Sequence, residues 1–128
     1  MNKSAYHEAV LFLTHLIVYA DGELDETEVK AISQICDHES ITPEYYDDFS
    51  KRIKGMHERD MYLQGIDLVS QCTDQEKIDA FSWLYQISEV DGKVHVKEVR
   101  FLLYSIKRAG IEFEEVVDRA KNMPRLVS

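Results

Sequence analysis

Apolar residues along this chain recur every three to four positions, and no stretch sustains the alternation of a strand. The first segment, near Ser4–Ala20, is apolar almost all round (Ala9 to Leu13, Leu16, Ile17, Val18), the pattern of a helix surrounded by others. A second begins after Asp25 and ends near His38, with Val29, Ile32, Ile35 and Cys36 on one face. Thr42-Pro43, an N-cap followed by Pro at the first helical position, opens a third that ends at Gly55. A fourth covers about Glu58–Cys72, with Met61, Gly65, Leu68, Val69 and Cys72 in phase. Thr73-Asp-Gln-Glu76 is a capping box and starts a fifth, carrying Ile78, Phe81, Trp83, Leu84 and Ile87. A sixth spans roughly Val96–Ala109, stopped by Gly110, and a seventh runs Glu112–Asn122, closed by Pro124. The expected architecture is all-α: about seven helices in a single domain over residues 1–128.

The chain also repeats itself. Tyr19-Ala-Asp-Gly-Glu-Leu-Asp-Glu-Thr-Glu-Val29 returns seventy positions later as Glu89-Val-Asp-Gly-Lys-Val-His-Val-Lys-Glu-Val99. Outside the motif, Leu13 aligns with Trp83, Ile17 with Ile87, Ile32 with Leu102 and Ile41 with Ile111. Helical hairpins duplicated over about 1–55 and 71–124 are therefore expected, around a central antiparallel pair made of the first and fifth helices.

Each Asp-Gly turn has a structural use. Gly22 and Gly92 suit the left-handed end of a helix, Leu24 and Val94 can tuck onto the core, and Asp25 with Glu28 forms a capping box. The turns also resemble the second half of a calcium-binding EF-hand loop, but Ile17 and Tyr19, and Ile87 in the second copy, stand where that loop needs oxygen ligands. A looser site remains, because Asp21, Glu23, Asp25, Glu26 and Glu28 fall within eight residues that contain no cation. If the two turns meet, carboxylates from both, with Glu89, Asp91 and Glu98 supplied by the second copy, would share a divalent cation; no other cofactor is expected.

Charge narrows the partners. A net charge of −9 disfavours nucleic acid and anionic membrane surfaces and permits cations and basic protein surfaces. Cys36 and Cys72 are far apart in sequence and suit reduced thiols in the cytoplasm. None of the five histidines is set at zinc spacing, and no nucleophile motif or phosphate-cradling loop appears. A carboxylate-dependent hydrolase would need a buried acid of raised pKa, so the chain is expected not to be an enzyme. Adjacent Tyr45 and Tyr46 cannot both point inward, which makes them, with Glu23 and Glu26, candidates for contact with a partner protein.

Ala20-Asp-Gly-Glu-Leu-Asp-Glu-Thr-Glu28, the second Asp91-Gly92 with Glu98, and the seven-helix pattern together resemble the TerB-like family. The resemblance covers nearly the whole chain. It implies an all-α fold with duplicated helices, a cytoplasmic setting with at most peripheral association with the inner membrane face, and a non-catalytic role in tellurite or other stress resistance. It also implies metal binding through Asp21, Glu28, Asp91 and Glu98, although Lys93, His95 and Lys97 make the second copy less acidic than the family pattern.

Overall fold

A computed structural model describes residues 4–18, 26–89 and 104–126; within these, Ser4, Ile17, Val18, Thr27, Glu28 and Ser88 are described by backbone alone. Helix is the one regular element among them, in seven segments: α1 (Ser4–Val18), α2 (Glu26–His38), α3 (Pro43–Ile53), α4 (Glu58–Ser70), α5 (Asp74–Glu89), α6, described over 104–108, and α7 (Phe113–Asn122). None is long and apolar enough to cross a membrane. The expected all-α architecture is the one observed.

The predicted caps form. The Thr42 hydroxyl accepts from the Tyr45 N–H at 3.1 Å, with Pro43 leading α3. At α5 the capping box closes both ways: Glu76 N–H donates to Thr73 Oγ1 at 3.1 Å, and Thr73 N–H donates to Glu76 Oε1 at 2.9 Å. Each such cap is worth about 0.5–2 kcal/mol. The helix ends also repeat. After α2, Ser40 takes a positive φ of 58° while Ile41 N–H reaches back to the Cys36 carbonyl. Seventy residues on, Gly110 has φ 76° and Ile111 N–H reaches the Ile106 carbonyl. Both turns satisfy carbonyls the helix leaves open and turn an isoleucine back toward the core.

The core is built around α1. Ala9 to Leu13 and Leu16 are all buried, because α1 packs on α4 and on α5 while α3 lays side chains across it. Phe12 meets Phe49 of α3 edge to face, with ring centres 4.9 Å apart. The contact with α4 is closest at Gly65, where an added Cβ would lie 3.3 Å from Phe12 Cβ and from Leu13 Cδ2. The expected pairing of the first and fifth helices is thus present. The repeated Asp-Gly turns, on which the duplication was read, lie outside the described residues.

Helix α5 carries a second packing face of a different kind. Asp79, Ser82 and Gln86 form a polar stripe toward α7 and the segment that follows it. Asp79 pairs with Arg119 at 2.8 Å, Ser82 donates to the Val116 carbonyl, and Gln86 donates to the Ala120 and Pro124 carbonyls while accepting from Leu126 N–H at 2.8 Å. On the other side the buried Trp83 indole donates to Glu39 Oε1 at 3.2 Å and stacks on His38, 5.7 Å between nearly parallel rings. Tyr6 is buried here too; burial first, and the Glu39 charge second, raise its phenol pKa above the ordinary range.

One expected core position differs. Val29 was placed on the apolar face of α2, yet it is 48% exposed, whereas Ala31, Ile32 and Ile35 are buried. Helix α2 docks through its later turns and the His38–Trp83 stack, so its first turn extends past that contact. Cys36 is half-buried, Cys72 is buried, and both are free thiols, as expected.

Two stability measurements follow from these contacts. Gly65→Leu forces α1 and α4 apart and should lower unfolding free energy in urea by about 3 kcal/mol or more, above the usual range for inserting methylenes into a tight core. Ser40→Gly relieves a left-handed non-glycine residue and should raise it by about 1 kcal/mol.

Candidate functional site

The residues expected to hold a cation are placed unevenly. Asp21, Glu23, Asp25, Asp91 and Glu98 lie outside the described residues, and Glu28 is fixed only as backbone in the first turn of α2. Glu26, beside it, is exposed. Among the described residues no group of three His, Cys, Asp or Glu side chains is close enough to hold a metal ion.

Tyr45 and Tyr46 are described fully, and both are half-buried, so neither stands out as a bare contact residue. They diverge from α3 onto two histidines of α1. Tyr45 meets His7 edge-on, ring centres 6.4 Å apart, and Tyr46 meets His15 at 5.8 Å. Together with Arg52, which reaches Glu8 at 2.6 Å and Asp48 at 3.6 Å, they lace α3 along α1. These ion pairs are partly exposed and contribute modestly, at most about 1 kcal/mol.

His15 is the residue around which the describable site forms. It is 5% exposed, between Tyr46 and the edge of Phe49. Its Nδ1 lies 2.9 Å from the Leu11 carbonyl and must carry the proton there, since a carbonyl only accepts. Nε2, 3.3 Å from the Tyr46 hydroxyl, is then the acceptor of the neutral ring. Burial lowers the His15 pKa and outweighs the carbonyl bond, which acts to raise it. Next to it the Thr14 hydroxyl donates to the Val10 carbonyl, so the polar side chains in the middle of α1 are satisfied by its own backbone.

His15 and Tyr46 border a cavity of about 470 Å³, within the size range of small-molecule sites. Among the described residues its apolar walls are Leu16, Ile53, Met56 and Met61, and its other polar groups are Ser50, Lys54 and Glu58. Tyr46, Ser50 and Lys54 are each four residues apart, one stripe of α3 and its C-cap, and Glu58 and Met61 come from the first turns of α4. The two thiols are poor nucleophiles: burial first, then the Asp37 charge, pushes Cys36 up to about 11, and burial, then Glu76, does the same for Cys72.

Sequence patterning did not disclose this cavity. The partner of His15, Tyr46, lies thirty-one positions away on α3. That partner could have been suspected only from Tyr46 falling one turn into a well-capped helix.

The buried neutral imidazole ties stability to pH. The unfolded chain takes up a proton near pH 6.5, and folded His15 does so only at lower pH. Its contribution is therefore complete above about 6.5 and is lost as pH falls toward the folded pKa, at up to about 1.4 kcal/mol per unit. Urea unfolding should show stability falling from pH 7 to pH 5.5, with a shallower slope in His15→Phe.

The profile of the tellurite resistance protein TerB family matches residues 7–118. Comparisons with curated proteins and with solved structures each returned no match. The matched range runs from within α1 to within α7 and includes both Asp-Gly motifs. The chain belongs to the TerB family, which is linked to tellurite resistance.

Proposed function

We propose that this protein is a non-catalytic binding component of a tellurite or related stress-resistance system, and that its acidic first turn meets a basic partner protein or a cation. The observation that carries this is the run Asp21, Glu23, Asp25, Glu26 and Glu28, five acids in eight residues without a cation, in a chain of net charge −9. Such a segment sets up a negative local potential that attracts cations and basic surfaces and speeds their encounter. Glu26, exposed at the start of α2, extends that surface onto the folded body. Thiols held up to about 11 and a buried neutral histidine suit a binding protein better than an acid–base or nucleophilic enzyme. Free cysteines suit the reducing cytoplasm, and the net charge of −9 disfavours anionic membrane surfaces as partners.

In the cation form of this reading, Asp21 and Glu28 of the first turn share an ion with Asp91 and Glu98 of the second. These are hard oxygen donors, suited to calcium, magnesium or manganese. An ion bound only by the native state raises the melting temperature by mass action, about 2.7 kcal/mol of stabilisation at a hundredfold excess over Kd.

Two measurements test the proposal together. In cells that depend on this protein for tellurite tolerance, the double variant Glu23→Lys with Glu26→Lys should lose tolerance at unchanged abundance; full tolerance would remove the acidic turn from the function. Thermal unfolding with millimolar calcium, magnesium, manganese or zinc separates the two ligands. A rise in melting temperature that disappears in Asp21→Asn with Glu28→Gln identifies a cation, and no rise with any metal leaves the partner protein.

A further inference from the structure

Helix α3 is attached to the body differently from the other helices. Close packing joins α1 to α4 and to α5, and α5 to α7, whereas α3 has no comparable packing with any described helix. Side chains hold it instead. Tyr45 meets His7, Phe49 sits between Phe12 and His15, Tyr46 meets His15, and Arg52 reaches Glu8. The Phe12–Phe49 contact is indifferent to pH. The Tyr46–His15 contact is not, because it needs Nε2 of a neutral ring to accept the Tyr46 proton. A proton taken up at Nε2 sets two donors against each other and charges a ring that is 5% exposed. Among the described residues, α3 and its C-cap present Tyr46, Phe49 and Lys54 to this site, and α4 presents Glu58 and Met61. Lys54 and Glu58 are exposed and opposite in sign, so neither supplies the imidazolium with a buried counter-ion. The ring borders the cavity, and one wall of that cavity is the α3 stripe Tyr46, Ser50 and Lys54. Moving α3 outward therefore hydrates the ring while α1 keeps its packing on α4 and α5.

We propose that α3 is an acid-released strap: protonation of His15 detaches α3 from α1 by local opening, while the rest of the helical body stays packed. An element held by few close contacts opens at a lower free energy than the whole chain unfolds. Burial holds the folded His15 pKa down and hydration restores it in the opened form, so opening is coupled to the uptake of one proton. The sign follows: opening is favoured as pH falls below about 6.5, by up to about tenfold per pH unit, until the folded pKa is passed. The released state uncovers the apolar walls Leu16, Ile53, Met56 and Met61, so the protein offers a different surface in acid than at neutral pH. The strap lies apart from the acidic turn, and it stands or falls independently of the function proposed above.

The experiment is amide hydrogen exchange on the full chain, resolved by residue with NMR at pH 7.5, 6.5 and 5.5 and corrected for intrinsic exchange. Protection of the α3 amides from Asp47 to Ile53 should fall by about fivefold between pH 6.5 and 5.5, the uptake expected of one imidazole whose open form titrates near 6.5. At pH 5.5 these amides should be at least about tenfold less protected than those of α5, which marks a local opening. The pH dependence should vanish in His15→Gln, which cannot take up the proton, and in His15→Phe, which keeps a ring in place. Protection in α3 that does not change with pH would overturn the proposal, as would a dependence that survives in both variants. So would α3 and α5 exchanging at one common rate at pH 5.5, since only whole-chain unfolding would then be present, or α3 amides already unprotected at pH 7.5.

Discussion

The central constraint in this protein is that α1, from Ala9 to Leu16, has no face left for water. A helix packed on two others and crossed by a third cannot carry polar side chains unless the helix itself satisfies them, and α1 carries two in succession. Thr14 and His15 each bond to a carbonyl of the preceding turn. For His15 that bond settles the tautomer and leaves Nε2 for Tyr46, which joins Phe49 and Arg52 in holding α3 against α1. The position of the cavity follows, since its walls are the two flanks of that contact and the loop leading into α4.

Two kinds of adhesive hold the rest. On the α4 side it is shape: Gly65 lets α4 approach α1 so closely that an added methyl group would press on Phe12 and Leu13. On the α7 side it is a polar stripe, in which Asp79, Ser82 and Gln86 reach carbonyls, an amide and a guanidinium of α7 and of the segment after it. Close packing of that first kind tolerates few substitutions. The second tolerates changes of size but not of hydrogen-bonding character.

The helices were legible because their signals are local. Thr42-Pro43 and Thr73-x-x-Glu76 announce helix starts within four residues, and the buried faces of α4 and α5 follow from spacing alone. Val29 misled because periodicity tells which residues share a face and says nothing of how far along the helix its neighbour extends. The turns after α2 and α6 share a left-handed residue, Ser40 in one and Gly110 in the other. The cavity was not legible, since it depends on a contact between residues thirty-one positions apart. The acidic turns were the clearest motif in the chain, and they bear on function through composition and through the family profile that spans both.

The chain has a single tryptophan, and it lies in the core with the last residue of α2 stacked flat upon it. Indole emission responds strongly to such a neighbour. The molecule therefore contains its own optical gauge: light from one buried ring reports whether the helix that follows the acidic turn is seated or lifted. No dye or added label is needed to watch that helix when a ligand arrives.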